Sequence, residues 1–109
     1  MMIVKASHGY QPTGVTVQKG SRYNISATGR WTLDAGKTEC DADGLSSGRG
    51  RLEGIVLDEN FELGKPFPLG SKGTFRPKTT GRLYLRCRDA WHQLADNRQR
   101  LSVVIHKSR

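Results

Sequence analysis

Long apolar runs are missing from this sequence. No stretch of its 109 residues approaches the length needed to cross a bilayer, so no membrane span is expected. The start of the chain, Met1-Met2-Ile3-Val4-Lys5, lacks an apolar signal core followed by a small-residue cleavage site. The expectation is a soluble chain, cytoplasmic by default. Cysteine is scarce, with Cys40 and Cys87 alone. Neither has a second Cys or His at a zinc-ligand interval, which argues against a zinc knuckle. Without an export signal, two reduced thiols are expected rather than a disulfide. Glycine-rich phosphate loops and nucleotide fingerprints are also absent.

Acidic residues are outnumbered, 10 against 18 Lys and Arg, giving a formal net charge of +8. Such an excess draws anions such as nucleic acid or acidic polysaccharide, or simply keeps a chain soluble. No block of like charge forms a basic tail.

What is present is period-two alternation. Tyr23, Ile25 and Ala27 alternate with polar residues, as do Leu83, Leu85 and Cys87. Leu101, Val103 and Ile105 alternate with Ser102, Val104 and His106. Each run predicts a half-buried strand. Weaker candidates are Ile3–Lys5, Val15–Val17, Leu52–Leu57 and Thr74–Arg76. Gln18-Lys19-Gly20-Ser21, Asp58-Glu59-Asn60 and Thr79-Thr80-Gly81 supply turn chemistry between them. Length allows one domain, residues 1–109, and the rhythm predicts an all-β sandwich of short antiparallel strands.

Two segments break the rhythm. Asp34–Gly50 is polar and glycine-rich and carries Glu39, Asp41 and Asp43; Asp89–Arg98 joins two confident strands. Loops of that length in a small domain are functional or mobile. The second has Asp89 at one end and Asp96 with Asn97 at the other. If it folds back on itself, these oxygens converge, and calcium takes six to eight oxygen ligands. On the residues alone, turn chemistry outweighs a metal site, because Asp and Asn are ordinary turn residues.

The stretch Gly81-Arg82-Leu83-Tyr84-Leu85-Arg86-Cys87-Arg88-Asp89-Ala90-Trp91-His92-Gln93-Leu94-Ala95-Asp96-Asn97, followed by Leu101-Ser102-Val103-Val104-Ile105, resembles the closing strand–loop–strand of the calcium-dependent galactophilic lectin family of PA-I type. The resemblance extends to Gly14–Val17, Ser26–Trp31, Asp41–Leu45 and Leu52–Ile55. It implies a small jelly-roll-like β-sandwich that binds carbohydrate through Ca2+, sugar hydroxyls reaching the ion directly. Asp89 corresponds to the carboxylate touching both calcium and sugar, with Ala90 beside it. Gln93 corresponds to a backbone-carbonyl ligand. Asp96 stands where the family has Asn, and Asn97 matches the next amide ligand. A further carbonyl comes from Leu33 or Asp34. Asp43 aligns with a polar sugar contact, and Cys40 falls where the galactose lectin has a His. Arg98-Gln99 replaces the family's Ser-Gly. That basic flank widens the candidate sugars from galactose-like to acidic ones. A homo-oligomer would supply avidity.

Other residues carry weaker signals. Trp31 and Trp91 are both expected to pack, although a ring in the second loop can also stack on a sugar. His92 beside Asp89, with Cys40 as nucleophile, would make a catalytic set, but nothing in the spacing orients them; no enzyme is expected. Asp41 and Asp43 lack the fixed separation of a glycosidase pair. His8 and His106 are expected at the surface. Arg82, Tyr84, Arg86 and Arg88 share one strand face. This supports a second reading, an interaction module whose basic face binds nucleic acid or an acidic partner.

Overall fold

The alternating runs fall on strands, of which there are ten among the described residues. The computed structural model describes residues 2–108; Met1 and Arg109, at the ends of the expected domain, lie outside the described residues. The strands are β1 (Met2–Lys5), β2 (Gln11–Val17), β3 (Tyr23–Thr28), β4 (Trp31–Leu33), β5 (Thr38–Cys40), β6 (Leu52–Asp58), β7 (Phe67–Pro68), β8 (Lys72–Phe75), β9 (Gly81–Cys87) and β10 (Arg98–Lys107). Two short 3-10 turns, Asp34–Gly36 and Trp91–Asp96, are the helical elements among the described residues.

All pairings are antiparallel. One sheet runs β5-β4-β10-β3-β8, with β1 also on β10, and the other runs β2-β9-β6-β7. Thr28 faces Ser102 and Trp31 faces Gln99, three residues further along both strands. β3 and β4 therefore lie end to end along β10, interrupted at Gly29-Arg30. The long β10 is the spine of its sheet, and β9 is the centre of the other.

The expected faces are the observed ones. In β3, Tyr23, Ile25 and Ala27 are buried and the intervening residues exposed. Leu83, Leu85 and Cys87 from β9 meet Leu101 and Val103 from β10 in the core, as a two-sheet sandwich requires. Trp31 is fully buried, and its indole N–H donates to the Gly50 carbonyl at 2.7 Å. Cys40 and Cys87 are buried free thiols. Burial, the larger cause, and the neighbouring Cys40 push the Cys87 thiol up to about 12.

The segment expected as one loop, Asp34–Gly50, contains β5, a three-residue edge strand too short for alternation to reveal. β7 is shorter still, and its Pro68 suits an edge position. Trp91, expected to pack, is 63% exposed. Its ring lies over a guanidinium on the outside of the β9 sheet instead of in the core.

Candidate functional site

The site is built where the β5–β6 loop returns to the end of β9. Leu45 N–H donates to Arg49 O at 2.8 Å and Gly48 N–H to Leu45 O at 2.9 Å, folding the loop back on itself. Gly50 N–H then donates to Arg88 O at 2.6 Å. Gly50 has φ +82°, and a Cβ there would collide with the Cys40 sulfur. Only glycine satisfies both demands, so Gly50 fixes the preceding residue, Arg49, beside Asp89.

Arg49 forks two carboxylates. Its Nε donates to Asp89 Oδ1 at 2.8 Å and its Nη2 to Asp89 Oδ2 at 3.2 Å. Nη2 also reaches Asp34 Oδ1 at 2.9 Å and Nη1 reaches Asp34 Oδ2 at 3.3 Å. Asp34 is held there by an unusual backbone: Asp34, Ala35 and Gly36 have φ of 52°, 58° and 90°. Non-glycine residues pay for the left-handed region, roughly 1 kcal/mol or more each. The Arg49 hydrogen bonds, and a 3.3 Å bond from the Thr38 hydroxyl, help hold Asp34 in place.

The Asp89 side chain is wholly buried, while Arg49 is 31% and Asp34 37% exposed. Asp89 Oδ1 also accepts from Ala90 N–H at 2.9 Å and Oδ2 from Asn97 Nδ2 at 3.1 Å. Burial would raise the Asp89 pKa, but the hydrogen bonds from Arg49, Asn97 and Ala90 outweigh it and hold the carboxyl below its ordinary value. Arg49's hydrogen bond also lowers Asp34, and its two carboxylates push Arg49 above the usual guanidinium range.

The residues expected to hold calcium are partly gathered. Asp89 and Asn97, at the two ends of their loop, touch. Asn97 is buried; its NH2 faces Asp89 and, at 3.4 Å, Ala6 O, while its Oδ1 has no partner. Asp96 is exposed at the end of the 3-10 turn, and Gln93 is half-buried, its N–H donating to Ala90 O. Leu33 is buried in the core and leads into the Asp34 turn.

This arrangement does not fit a calcium ion. The four acceptor positions of the Asp89 carboxylate are taken by two Arg49 N–H groups, one backbone N–H and one amide. The positive charge beside Asp89 is a guanidinium. Among the described residues no three His, Cys, Asp or Glu side chains are grouped to hold a metal.

The expected sugar contacts divide as well. Asp43 accepts from Ser71 N–H at 2.8 Å and from the Ser71 hydroxyl, tying its loop to the β7–β8 turn. Those bonds, the backbone one first, lower its pKa. Cys40 is buried against Gly50 O, so its thiol does not face solvent, whereas His92 is exposed. Ala90 is exposed beside Asp89. Asp41 Oδ1 caps Asp43 N–H at 2.9 Å, as turn chemistry predicts.

The basic face of β9 is not the uniform stripe that alternation suggests. Arg82 and Arg88 are exposed, but Arg86 is 7% exposed. Its Nε donates to Glu53 Oε2 at 2.9 Å, and its guanidinium carbon lies 4.0 Å from the Trp91 ring centre. The Tyr10 hydroxyl donates to the same Glu53 oxygen at 2.8 Å.

Arg49 is the site residue that sequence reasoning did not find. The available signal was a lone arginine between two glycines, Gly48-Arg49-Gly50, in the unassigned loop.

No protein-family model and no curated protein sequence matches the chain. Among solved structures, the chain is similar to one described as "EclA N-terminal domain; PllA-like lectin". The TM-score is 0.69 at 22% sequence identity, covering 98% of this chain and 94% of that one. The likeness is one of fold.

Proposed function

We propose that the chain is a carbohydrate-binding domain of lectin type, without catalytic turnover, whose loop site works through Arg49 in place of the calcium ion that the family resemblance implies. The fold it shares with a lectin over almost its whole length supports this reading. The observation that carries it is the half-exposed Arg49–Asp34 pair. Four of the five guanidinium N–H groups go to Asp89 and Asp34. One N–H on Nη1 remains, as does acceptor capacity on Asp34 Oδ1. A donor beside an acceptor suits two neighbouring sugar hydroxyls, one accepting from Arg49 and the other donating to Asp34. Which neutral sugar fits, galactose-like or another, follows from that spacing. A homo-oligomer formed through sandwich faces or edge strands would raise the modest affinity of one site by avidity.

A glycan array probed with and without chelator tests the proposal, alongside thermal melts in millimolar calcium. Sugar binding should survive chelation, and calcium should leave the midpoint unchanged, because an ion that binds only the native form would raise it. Asp34→Asn should weaken sugar binding about tenfold with the fold intact. Binding abolished by chelator would restore calcium dependence, and no binding to any glycan would end the lectin reading.

A further inference from the structure

A polar cavity lies on the outer face of the β9 sheet, lined by none of Arg49, Asp34 and Asp89 although its arginines are their near neighbours in the chain. It has a volume of about 360 Å³ and is lined by Arg51, Glu53, Pro66, Pro68 and Arg88. Strand register places its parts. Glu53 pairs with Pro68 on one side and Arg86 on the other. Arg88 N–H donates to Arg51 O at 2.9 Å, setting the two arginines opposite one another at the end of β6 and β9.

Charge in this cavity is unbalanced. Its one carboxylate, Glu53, is already matched by Arg86 at 2.9 Å, both largely buried. Arg51 and Arg88 have no carboxylate within ion-pair distance among the described residues. Arg51 Nε is moreover buried without a hydrogen-bond partner, and an unpaired buried donor is costly. The loop makes room for this arrangement: a Cβ on Gly48, whose φ is +91°, would lie 2.7 Å from Arg88 Nη1. Two like charges line this concavity, one of them with an orphaned N–H; Asp43, the carboxylate that feels Arg51, lies beyond ion-pair distance and is engaged by Ser71.

We propose that this cavity binds the carboxylate or sulfate of an acidic saccharide, Arg51 and Arg88 gripping the oxyanion while Pro66 and Pro68 meet the ring. Guanidinium forks match planar and tetrahedral oxyanions. The proline walls offer apolar surface to the C–H groups of a pyranose. Glu53 keeps acceptor capacity for a hydroxyl, and its charge disfavours a polyphosphate chain. A short concavity with two arginines holds one charged residue, whereas a single-stranded nucleic acid requires an extended basic track with stacking rings. The buried Arg86 interrupts such a track on β9. The proposal stands on different residues from the Arg49 site and survives if that site binds nothing.

The test is an NMR titration of the full chain with glucuronic acid, galactose 6-sulfate and neutral galactose, following backbone amides and arginine Nε–H signals. The acidic sugars should move Arg51, Arg88 and Glu53, and galactose should not. Signals from Asp34 and Arg49 report the other site independently. Arg88→Gln, an exposed substitution, should weaken the acidic sugars about tenfold, and Arg51→Gln should do the same. Added salt should weaken binding further. The tighter of the two acidic sugars identifies the oxyanion. Three results would overturn the proposal: neither acidic sugar moving these signals, binding unchanged in both variants, or a short oligothymidylate moving the same signals more strongly than either sugar.

Discussion

Arg49 and Arg86 are both arginines held to buried or half-buried carboxylates at 2.8–2.9 Å, yet they arrive by different routes. Arg86 stands on a strand, directly opposite Glu53 in the β6–β9 register. Its pairing is a cross-strand neighbour interaction, fixed once the sheet forms. Arg49 stands on a loop and reaches Asp89, 40 residues away, and Asp34, 15 away. Its position depends on a chain reversal set by Gly50. One cluster is a consequence of the sheet; the other is an added construction that leaves a guanidinium facing water. The difference teaches that a buried ion pair on the sheet serves the fold, and a half-exposed one on the loops is available for a ligand.

Removing each arginine breaks this comparison most forcefully. Arg86→Ala leaves the Glu53 carboxylate with the Tyr10 hydroxyl as its side-chain donor and strips the support from Trp91. The expected loss is about 4 kcal/mol, since breaking a buried pair strands its partner. Urea denaturation measures it. Replacing Arg86 and Glu53 together by leucine should recover much of the loss, because no charge is then stranded. Arg49→Ala should cost less, about 3 kcal/mol. Asp89 is stranded in that variant too, but Arg49 is partly exposed and water can enter. Lysine should not rescue it, having no planar fork for two carboxylates. An Arg49→Ala loss exceeding that of Arg86→Ala would reverse the ranking of the two clusters.

Acid and alkali should separate the clusters as well. The Asp89 carboxyl is held below its unfolded value of about 3.9 once its hydrogen bonds overcome burial. Its contribution is therefore complete above about pH 4 and lost as pH falls through the depressed folded value. Tyr10 behaves oppositely: burial first, and then its hydrogen bond to Glu53, push the phenol above the ordinary tyrosine range. Its contribution is complete below about pH 10 and lost as pH rises further. Melting midpoints across pH should thus fall in acid through the loop cluster, a fall blunted in Arg49→Ala. They should fall in strong alkali through the sheet cluster, a fall blunted in Tyr10→Phe.

The same division explains what could be read from sequence. Alternation placed β3, β9 and β10 and assigned the buried faces correctly, because side-chain direction in a strand is a local property. β5 and β7, of three and two residues, are too short to show a period. The expectation is that the oxygens of Asp89, Asp96 and Asn97 converge from the two ends of one loop; Asn97 instead turns its NH2 to Asp89, and Asp96 stays exposed. The occupant beside Asp89 was not anticipated, because the return of Arg49 is a tertiary event prepared by glycine geometry. Asp43 and Cys40 lie in the expected loop, but Ser71 and Gly50 respectively engage them. The burial of Arg86 escaped alternation for a related reason: β9 does present it outward, and a ring from the following 3-10 turn then covers it.

That ring gives the smallest effect and the finest test of the comparison. Trp91 lies 4.0 Å from the Arg86 guanidinium carbon and 6.2 Å, centre to centre, from Tyr10, tilted at 58°. A tryptophan truncated in a core costs about 3–5 kcal/mol, whereas an exposed cation–π contact contributes about 0.5–1 kcal/mol. With 63% of the residue still in water, Trp91→Ala should fall in the lower range. Fluorescence isolates the residue, because Trp31 is fully buried. Iodide should quench one of the two indoles in the native chain, and Trp91→Phe should abolish nearly all quenchable emission. A loss of several kcal/mol in Trp91→Ala, or an unquenchable Trp91, would make the ring a structural anchor and move the sheet cluster's stability from its ion pair to its cover.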